Sequence, residues 1–253
     1  MSRTLLPIPA ITVTGGSCQL PPVPGPGMAV QTGTVLDAVN GWRKQGAHVV
    51  YLIDGDAHAA TGSNGAIIKD AIHHGHSVHF MVGGGVHDQE TLDEALAVGP
   101  SRVVIDVATA DRAWLYQAFA AHGQHVIAGL NVHGTDLVDP AGNVVADLWD
   151  TVLDLDDHGC PRFLVEEGTR RGHWHHKDKH VLAGVCESVR HPVMGQGGID
   201  RLSDLHSLAD LTKQGLEAVV MDEPLYSGRF TFDEAISATQ PRFDPYEWAP
   251  PTP

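Results

Sequence analysis

Acidic and amide side chains follow several short apolar runs of this sequence. They are Asp54, Asp106, Asn131, Glu166, Glu167 and Asp222, each within two residues of the end of such a run. Carboxylates at such positions can transfer protons or hold a cation, and an amide can orient a polar substrate. If the runs are parallel strands of one sheet, their ends meet at one edge. We therefore expect these side chains to share a single site.

Two glycine pairs stand at matching places in the two halves of the chain. The segment MVGGGVHDQETLDEAL with the later RVVID resembles VMGQGGIDRLSDLHSL with the later AVVMD. The pair at 84–85 therefore corresponds to the pair at 197–198, and Asp106 corresponds to Asp222. Backbone N–H groups at glycine-rich turns can close on an anion. The repeat predicts a duplicated half-barrel with two phosphate-binding turns.

Eight short apolar runs alternate with amphipathic stretches and would position these residues. The runs are AITV at 10–13, VVYLI at 49–53, SVHFMV at 77–82, RVVI at 102–105, HVIAGL at 125–130, RFLV at 162–165, PVM at 192–194 and EAVVM at 217–221. Strand followed by helix, repeated eight times in about 250 residues, is typical of an α/β fold, a single (β/α)8 TIM barrel. A doubly wound sheet, the alternative, usually has fewer strands. We predict a barrel over residues 1–240 and a Pro-rich C-terminal tail over 241–253.

Composition limits the partners and the compartment. The chain has 253 residues, 17 of them histidine, and its 31 acidic against 16 basic residues give a formal net charge of −15. This charge argues against nucleic acid or an anionic membrane as partner, because binding either needs Lys and Arg. Three scattered cysteines are too few for a disulfide framework or a thiolate zinc site, and no apolar run approaches the ~18 residues of a membrane-spanning helix. We expect a cytoplasmic monomer that acts on a small-molecule substrate.

Several motifs carry a resemblance to a known family. They are LIDGDAHAATGSN at 52–64, VGGGVHD at 82–88, AGLNV at 128–132, DLWD at 147–150, GCPRFLV at 159–165, LAGV at 182–185 and LYSGRFTFDEA at 225–235. With them the chain resembles the histidine-biosynthesis (β/α)8-barrel family, most closely its phosphoribosyl isomerase A group. The resemblance implies an Amadori rearrangement of a phosphoribosyl aminoaldose to an aminoketose, in histidine and tryptophan biosynthesis. It also implies that no cofactor is needed and that two aspartates act as general acid and base.

Residues that align with the family's site differ from its pattern. The family's aspartate on the first strand falls on Thr12, its strand-5 aspartate on Asn131, and the acid of the loop after strand 6 on Arg171. None of the three can exchange a proton near neutral pH without a partner base. The glycines that end strands 4 and 8 in the family fall on Asp106 and Asp222, where a carboxylate would repel a phosphate. The departures predict that the family's acid–base pair and both phosphate sites are lost.

The polar and glycine residues of the strand ends define the expected site. We predict Asp54, Glu167 and His173 as the new catalytic acids and bases. The predicted substrate-binding residues are Thr12, Gly84, Gly85, Asp106, Asn131, Arg171, Trp174, Gly197, Gly198 and Asp222. Trp174 belongs to a His-rich loop at 168–180, where it either covers a bound substrate or simply docks the loop against the barrel. The glycines have a second explanation, since a strand-to-helix turn can need them for its backbone alone.

Three functions remain open at this point. The first is a divergent enzyme that resembles a phosphoribosyl isomerase but is repurposed for another small polar metabolite, derived from a sugar or amino acid, in specialised metabolism. In one form of this hypothesis the carboxylates and imidazoles bind a divalent metal. The second is the family's own isomerisation, against which the lost acids argue. The third is a catalytically inactive homologue that binds or regulates a partner.

Overall fold

The computed structural model describes residues 4–22, 31–167 and 178–240. Eight parallel strands in these ranges overlap, one for one, the eight apolar runs. They are Leu6–Val13 (β1), Val49–Asp54 (β2), His79–Gly83 (β3), Arg102–Asp106 (β4), Val126–His133 (β5), Phe163–Glu167 (β6), Val193–Gln196 (β7) and Leu216–Met221 (β8). Each strand pairs in parallel with the next. Because β8 also pairs with β1, the sheet closes into a barrel.

Helices follow the strands and surround the barrel. The longer ones are Val35–Lys44 (α1), Gly65–His74 (α2), Gln89–Ala97 (α3), Arg112–His122 (α4), Leu148–Asp157 (α5), Asp178–Ser188 (α6), Leu202–Ala209 (α7) and Phe232–Thr239 (α8). Short helices span Gly55–His58 and Glu223–Tyr226, and 3-10 turns span Gly123–His125 and Asp210–Lys213. The predicted single (β/α)8 barrel is confirmed.

Local sequence explains where many helices begin. Side chains of Thr34, Asp88, Asp111, Asp147 and Thr231 each accept a hydrogen bond from a backbone N–H in the first turn of the helix that follows. The first N–H groups of a helix have no partner within the helix, so these side chains stabilise its start by about 1 kcal/mol each. The caps fix the chain direction immediately after the loops at the carboxyl ends of the strands.

The strands bury both of their faces, which is why each reads as a continuous apolar run. One face fills the barrel interior, and its residues are Ile8, Ala10, Tyr51, Met81, Val104, Ile127, Leu164, Met194, Ala218 and Val220. The other face packs against the helices, with residues such as Ile11, Leu52 and Val165. Successive side chains of a strand alternate between these two faces. The alternation decides which residues at each strand end can reach a ligand over the barrel mouth.

Two small antiparallel elements were not predicted from the sequence. After β5 the chain forms strands Asp136–Val138 and Val144–Asp147, the first paired with β5 and the second with the first. Cys18–Gln19 pairs with Thr32–Gly33 in a separate two-stranded sheet. Such short, partly polar strands lack the continuous apolar pattern that identified the barrel strands.

A buried ionic network lies at the amino-terminal end of the barrel. The Arg162 guanidinium, 6% exposed, forms a two-point ion pair with Glu217 and donates from Nη1 to Gln124 Oε1 at 3.1 Å. Ionic contacts in such a place bear on stability, because catalytic groups of these barrels lie at the opposite end. The network therefore provides a stability test that is separate from the site.

No helix in the described ranges is long and apolar enough to cross a membrane. The three cysteines, Cys18, Cys160 and Cys186, are buried free thiols. The predicted tail at 241–253 lies outside the described residues.

Candidate active site

A cavity of about 270 Å³ opens at the carboxyl-terminal mouth of the barrel. We call it the central cavity. It is lined by Thr12, Tyr51, Ile53, Gly55, His58, Gly84, Gly85, Val104, Asp106, Gly129, Leu130, Asn131, Leu164, Glu166, Gln196 and Asp222. Of the predicted substrate-binding residues, the structure thus brings Thr12, Gly84, Gly85, Asp106, Asn131 and Asp222 together. Their role toward a substrate stays a prediction.

Three carboxylates face the central cavity, from Asp106 on β4, Glu166 on β6 and Asp222 after β8. Each lies two residues beyond an inward-facing residue of its strand, so its side chain points the same way. Asp106 Oδ1 accepts from the N–H of Ala108 at 3.2 Å, and Asp222 Oδ1 accepts from the N–H of Glu223 at 2.6 Å. These contacts orient two of the carboxylates and leave a strongly acidic cavity.

Glu166 has the most unusual environment of the three. Burial raises its pKa, the negative charges of Asp222 and Asp106 raise it further, and together they bring it to about 7. A hydrogen bond from Gln196 partly opposes this rise. Burial also raises the pKa of Asp106, and burial together with Glu166 and Asp106 raises that of the Tyr51 phenol. A carboxyl with a pKa near 7 can both accept and return a proton at neutral pH.

Two carboxamides flank Glu166 on the neighbouring strands. In the sheet register, Glu166 is the partner of Asn131 on β5 and of Gln196 on β7. Gln196 is 4% exposed and donates to Glu166, while its Oε1 is buried without a hydrogen-bond partner among the described residues. The inward side chains therefore form a continuous polar row at the mouth.

Asp54 does not line the central cavity, and its predicted catalytic role stays a prediction. The alternation turns it outward, where it is 6% exposed. Its Oδ1 accepts from the N–H of Ala57 at 3.1 Å and from Asn64 Nδ2 at 2.8 Å. Its Oδ2 accepts from the N–H of Asn64 at 2.6 Å and from Ser63 Oγ at 3.4 Å. A carboxylate held by four donors anchors the loop after β2, and these contacts give Asp54 a structural function whether or not it takes part in catalysis.

The Asp54 anchor extends to the loop after β1. The Asn64 side chain also donates to the carbonyl of Val13 at 3.2 Å and to Asp56 Oδ2 at 3.0 Å. Its Oδ1 accepts from the N–H of Gly16 at 3.0 Å. Two loops at the mouth are thus fixed to each other from outside the cavity.

Glu167 also turns away from the central cavity. It is 6% exposed and lines a second cavity of about 460 Å³, together with Gly197, Gly198 and Arg229. Glu166 and Asp222 line both cavities. Arg229 in this second cavity pairs with Asp200 and, at 3.1 Å, with Glu223. The structure places Glu167 and the second glycine pair beside the central cavity and not in it.

Both glycine pairs adopt left-handed backbone conformations, which supports the predicted repeat. Gly84 and Gly85 have φ of 99° and 75°, and Gly197 and Gly198 have φ of 86° and 62°. A Cβ on Gly84 would come within 2.3 Å of the Asp54 carbonyl oxygen. The turn after β3 therefore needs glycine for its backbone, whatever the ligand.

Three predicted site residues, Arg171, His173 and Trp174, lie outside the described residues. Their assignments stay predictions. Within the described ranges, no group of three His, Cys, Asp or Glu side chains is arranged to hold a metal ion. The metal hypothesis therefore gains no support from that part of the chain.

Comparison with known proteins agrees with this architecture. A family described as "Histidine biosynthesis protein" matches residues 8–231. The chain belongs to this family. Among its relatives, "Phosphoribosyl isomerase A" of Mycobacterium ulcerans is 33% identical over 93% of this chain and 99% of its own length. The proteins of the same name from Mycobacterium tuberculosis (strain CDC 1551 / Oshkosh) and Mycolicibacterium vanbaalenii are 31% and 34% identical, over 93% and 94% of this chain and 99% and 95% of theirs.

The sequence analysis placed Glu166 at a strand end but did not choose it as a catalytic residue, and it did not single out Gln196 or His58. In this member of the histidine biosynthesis family they line the central cavity together with Tyr51. The missed signal is the alternation along β6. Leu164 faces the interior, so Glu166 faces it too and Glu167 cannot. By the same alternation on β2, Ile53 faces the cavity and Asp54 faces away from it.

Proposed function

We propose that this chain is a divergent enzyme of the histidine biosynthesis family, repurposed for a small polar metabolite derived from a sugar or amino acid. The observation that carries the proposal is the set of three carboxylates, Asp106, Glu166 and Asp222, that face one cavity. At an effective dielectric of 20, two unit charges 5 Å apart repel by about 3 kcal/mol. A phosphate of the substrate that the resemblance implies would meet this repulsion from more than one side.

Glu166 is the proposed acid–base group. Its Oε atom takes a proton from a hydroxyl-bearing substrate carbon beside a carbonyl or imine and returns it to the carbonyl or imine carbon. The hydroxyl releases its proton to water, and the carbonyl oxygen or imine nitrogen takes one from water, which completes an isomerisation. Gln196 orients the carboxyl by donating to it. Thr12 and Asn131 stand where the resemblance implies aspartates. They line the cavity as a hydroxyl and a carboxamide, able to orient a substrate but not to exchange a proton near neutral pH.

The second candidate is isomerisation of a phosphoribosyl aminoaldose, and the relatives named phosphoribosyl isomerase A favour it. The two candidates differ in two predictions. The repurposed enzyme should reject a phosphorylated aminoaldose and depend on Glu166, whereas the phosphoribosyl isomerase should accept that substrate and need not depend on Glu166. The inactive-homologue hypothesis predicts no proton exchange with any metabolite.

The test follows proton exchange from deuterated water. Purified protein is incubated in D2O with an extract of unphosphorylated and monophosphorylated metabolites, and separately with the family's aminoaldose, and deuterium incorporation is read by mass spectrometry. We expect incorporation into a compound of the extract and its loss in Glu166→Gln. The matched control, Glu94→Gln, changes an exposed glutamate of α3 and should retain it.

Three results would contradict the proposal. One is turnover of the aminoaldose at the rate of a phosphoribosyl isomerase A assayed alongside. Another is exchange that survives Glu166→Gln. The third is an absence of exchange with every compound, which would favour the inactive homologue.

A further inference from the structure

The described lining of the central cavity is rich in hydrogen-bond acceptors and carries no full positive charge at high pH. It holds three carboxylates, the carboxamides of Asn131 and Gln196, and the hydroxyls of Thr12 and Tyr51. His58 is the one imidazole among the described lining residues, which include no Lys or Arg. Such a lining suits a ligand that brings N–H donors and positive charge.

Gln196 supplies an independent sign of a missing donor. The side chain is buried and lies beside Glu166 on the neighbouring strand. Its Oε1 has no hydrogen-bond partner within the described part of the chain. A buried acceptor left without a donor costs about 1–3 kcal/mol. Oε1 is closed to solvent in this structure, and a turn of the carboxamide at the Glu166–Gln196 edge of the cavity would present it to a ligand N–H and remove this cost.

The negative field converges on Glu166 from several elements. Asp106 on β4 and Asp222 after β8 act on it directly, and Tyr51 on β2 responds to Glu166 and Asp106. His58 acts in the opposite direction on Asp106. A cation among these groups would be attracted by each carboxylate and would favour the ionised form of Glu166.

We propose that the central cavity binds a small organic ammonium ion, a polyhydroxylated amine, with its nitrogen between Glu166 and the carboxylates of Asp106 and Asp222. An ammonium N–H donates to Gln196 Oε1, and the hydroxyls meet Thr12 and Asn131. The volume of about 270 Å³ is close to the lower end of the roughly 300–1,000 Å³ of small-molecule sites, which suits one ligand of monosaccharide size. The inference rests on the proposed function, since it names the substrate class of that same site.

A matched set of three ligands tests the inference. Calorimetric titrations at pH 8 use 1-amino-1-deoxysorbitol, sorbitol and sorbitol 6-phosphate, with MgCl2 alone as a fourth titrant. We expect the amine to bind at least about ten-fold more tightly than sorbitol, and the phosphate more weakly than either. The preference for the amine should shrink as the pH falls through about 7, because Glu166 becomes protonated.

Variants of the cavity carboxylates test whether the preference for the amine over sorbitol arises in the central cavity. Asp106→Asn and Asp222→Asn should each weaken the amine about ten-fold and leave sorbitol unchanged. Asp222 also caps the helix Glu223–Tyr226, so Asp106→Asn keeps the test valid if the other variant unfolds. Glu94→Gln, exposed on α3, should change neither ligand.

Tighter binding of the phosphate, or stoichiometric Mg²⁺ with no amine preference, would overturn the inference. If the amine preference is absent while Glu166-dependent deuterium exchange persists, the substrate class is wrong and the proposed function stands. If both are absent, both fail.

Discussion

Replacing Glu166 by Gln should stabilise this protein at alkaline pH, in contrast to most substitutions of buried polar residues. The pKa of Glu166 is raised from an ordinary value of 4.5 to about 7 by burial and by two neighbouring carboxylates. A raised carboxyl pKa means that ionisation is less favourable in the folded than in the unfolded chain. The folded protein therefore loses stability as the pH rises from about 4.5 to 7, and glutamine removes that loss.

The size of the effect follows from the same two pKa values. One pKa unit corresponds to about 1.4 kcal/mol, so the shift amounts to about 3 kcal/mol when it is fully expressed. Because the folded chain pays this ionisation cost and the variant does not, the free energy of unfolding of Glu166→Gln should exceed that of wild type by about 1 kcal/mol at pH 5 and about 3 kcal/mol at pH 8. The difference of about 2 kcal/mol between the two pH values is free of pH-independent effects of the substitution.

Urea unfolding at pH 5, 6.5 and 8 measures this difference, with Glu94→Gln as the control. Glu94 is exposed on α3, so its substitution should change stability little and equally at all three pH values. If the difference in free energy of unfolding between Glu166→Gln and wild type does not grow between pH 5 and 8, the pKa of Glu166 is not raised in the folded protein. The proton-transfer role proposed for this residue would then lose its physical basis.

Two further substitutions test the structural assignments. Asp54→Ala should lower the free energy of unfolding by about 3 kcal/mol or more, because four donors lose their acceptor; unchanged stability with lost turnover would support its catalytic role. Arg162→Met should cost about 1–3 kcal/mol in urea unfolding, because Glu217 loses its ion pair but, at 32% exposed, keeps contact with water. The double variant with Glu217→Leu should recover most of this cost. A double variant no more stable than the single one would show that the pair is not the source of the cost.

The barrel could be predicted from the sequence because strands buried on both faces leave a plain signal. The predicted run VVYLI became Val49–Asp54, and RVVI became Arg102–Asp106. The errors lie at the ends of the strands. For example, β1 begins at Leu6, four residues before the start of the predicted run at 10–13. The hairpin after β5 was missed, since Val144 and Val145 are exposed and the segment has no buried face to mark it.

The site could be predicted only in part, because position in a strand and direction of a side chain are different facts. Placing Asp106 and Asp222 at strand ends was enough to bring them to the cavity. Choosing between Glu166 and Glu167 required knowing which of them continues the inward face of β6. Asp54 shows the same limit, since its four donors come from a loop whose path the sequence does not specify.

The inward and outward residues of the mouth divide its chemistry from its support, which explains how one barrel can change its ligand. The outward set, with Asp54 and Asn64, holds loops by hydrogen bonds. The inward set, with Asp106 and Glu166, carries groups whose burial raises their pKa. Changes at inward positions therefore cost the fold little and can even stabilise it, whereas outward changes disrupt the loops. At pH 8, Glu166→Gln should therefore raise the free energy of unfolding and Asp54→Ala should lower it. Changes of the same sign in the two variants would contradict this division.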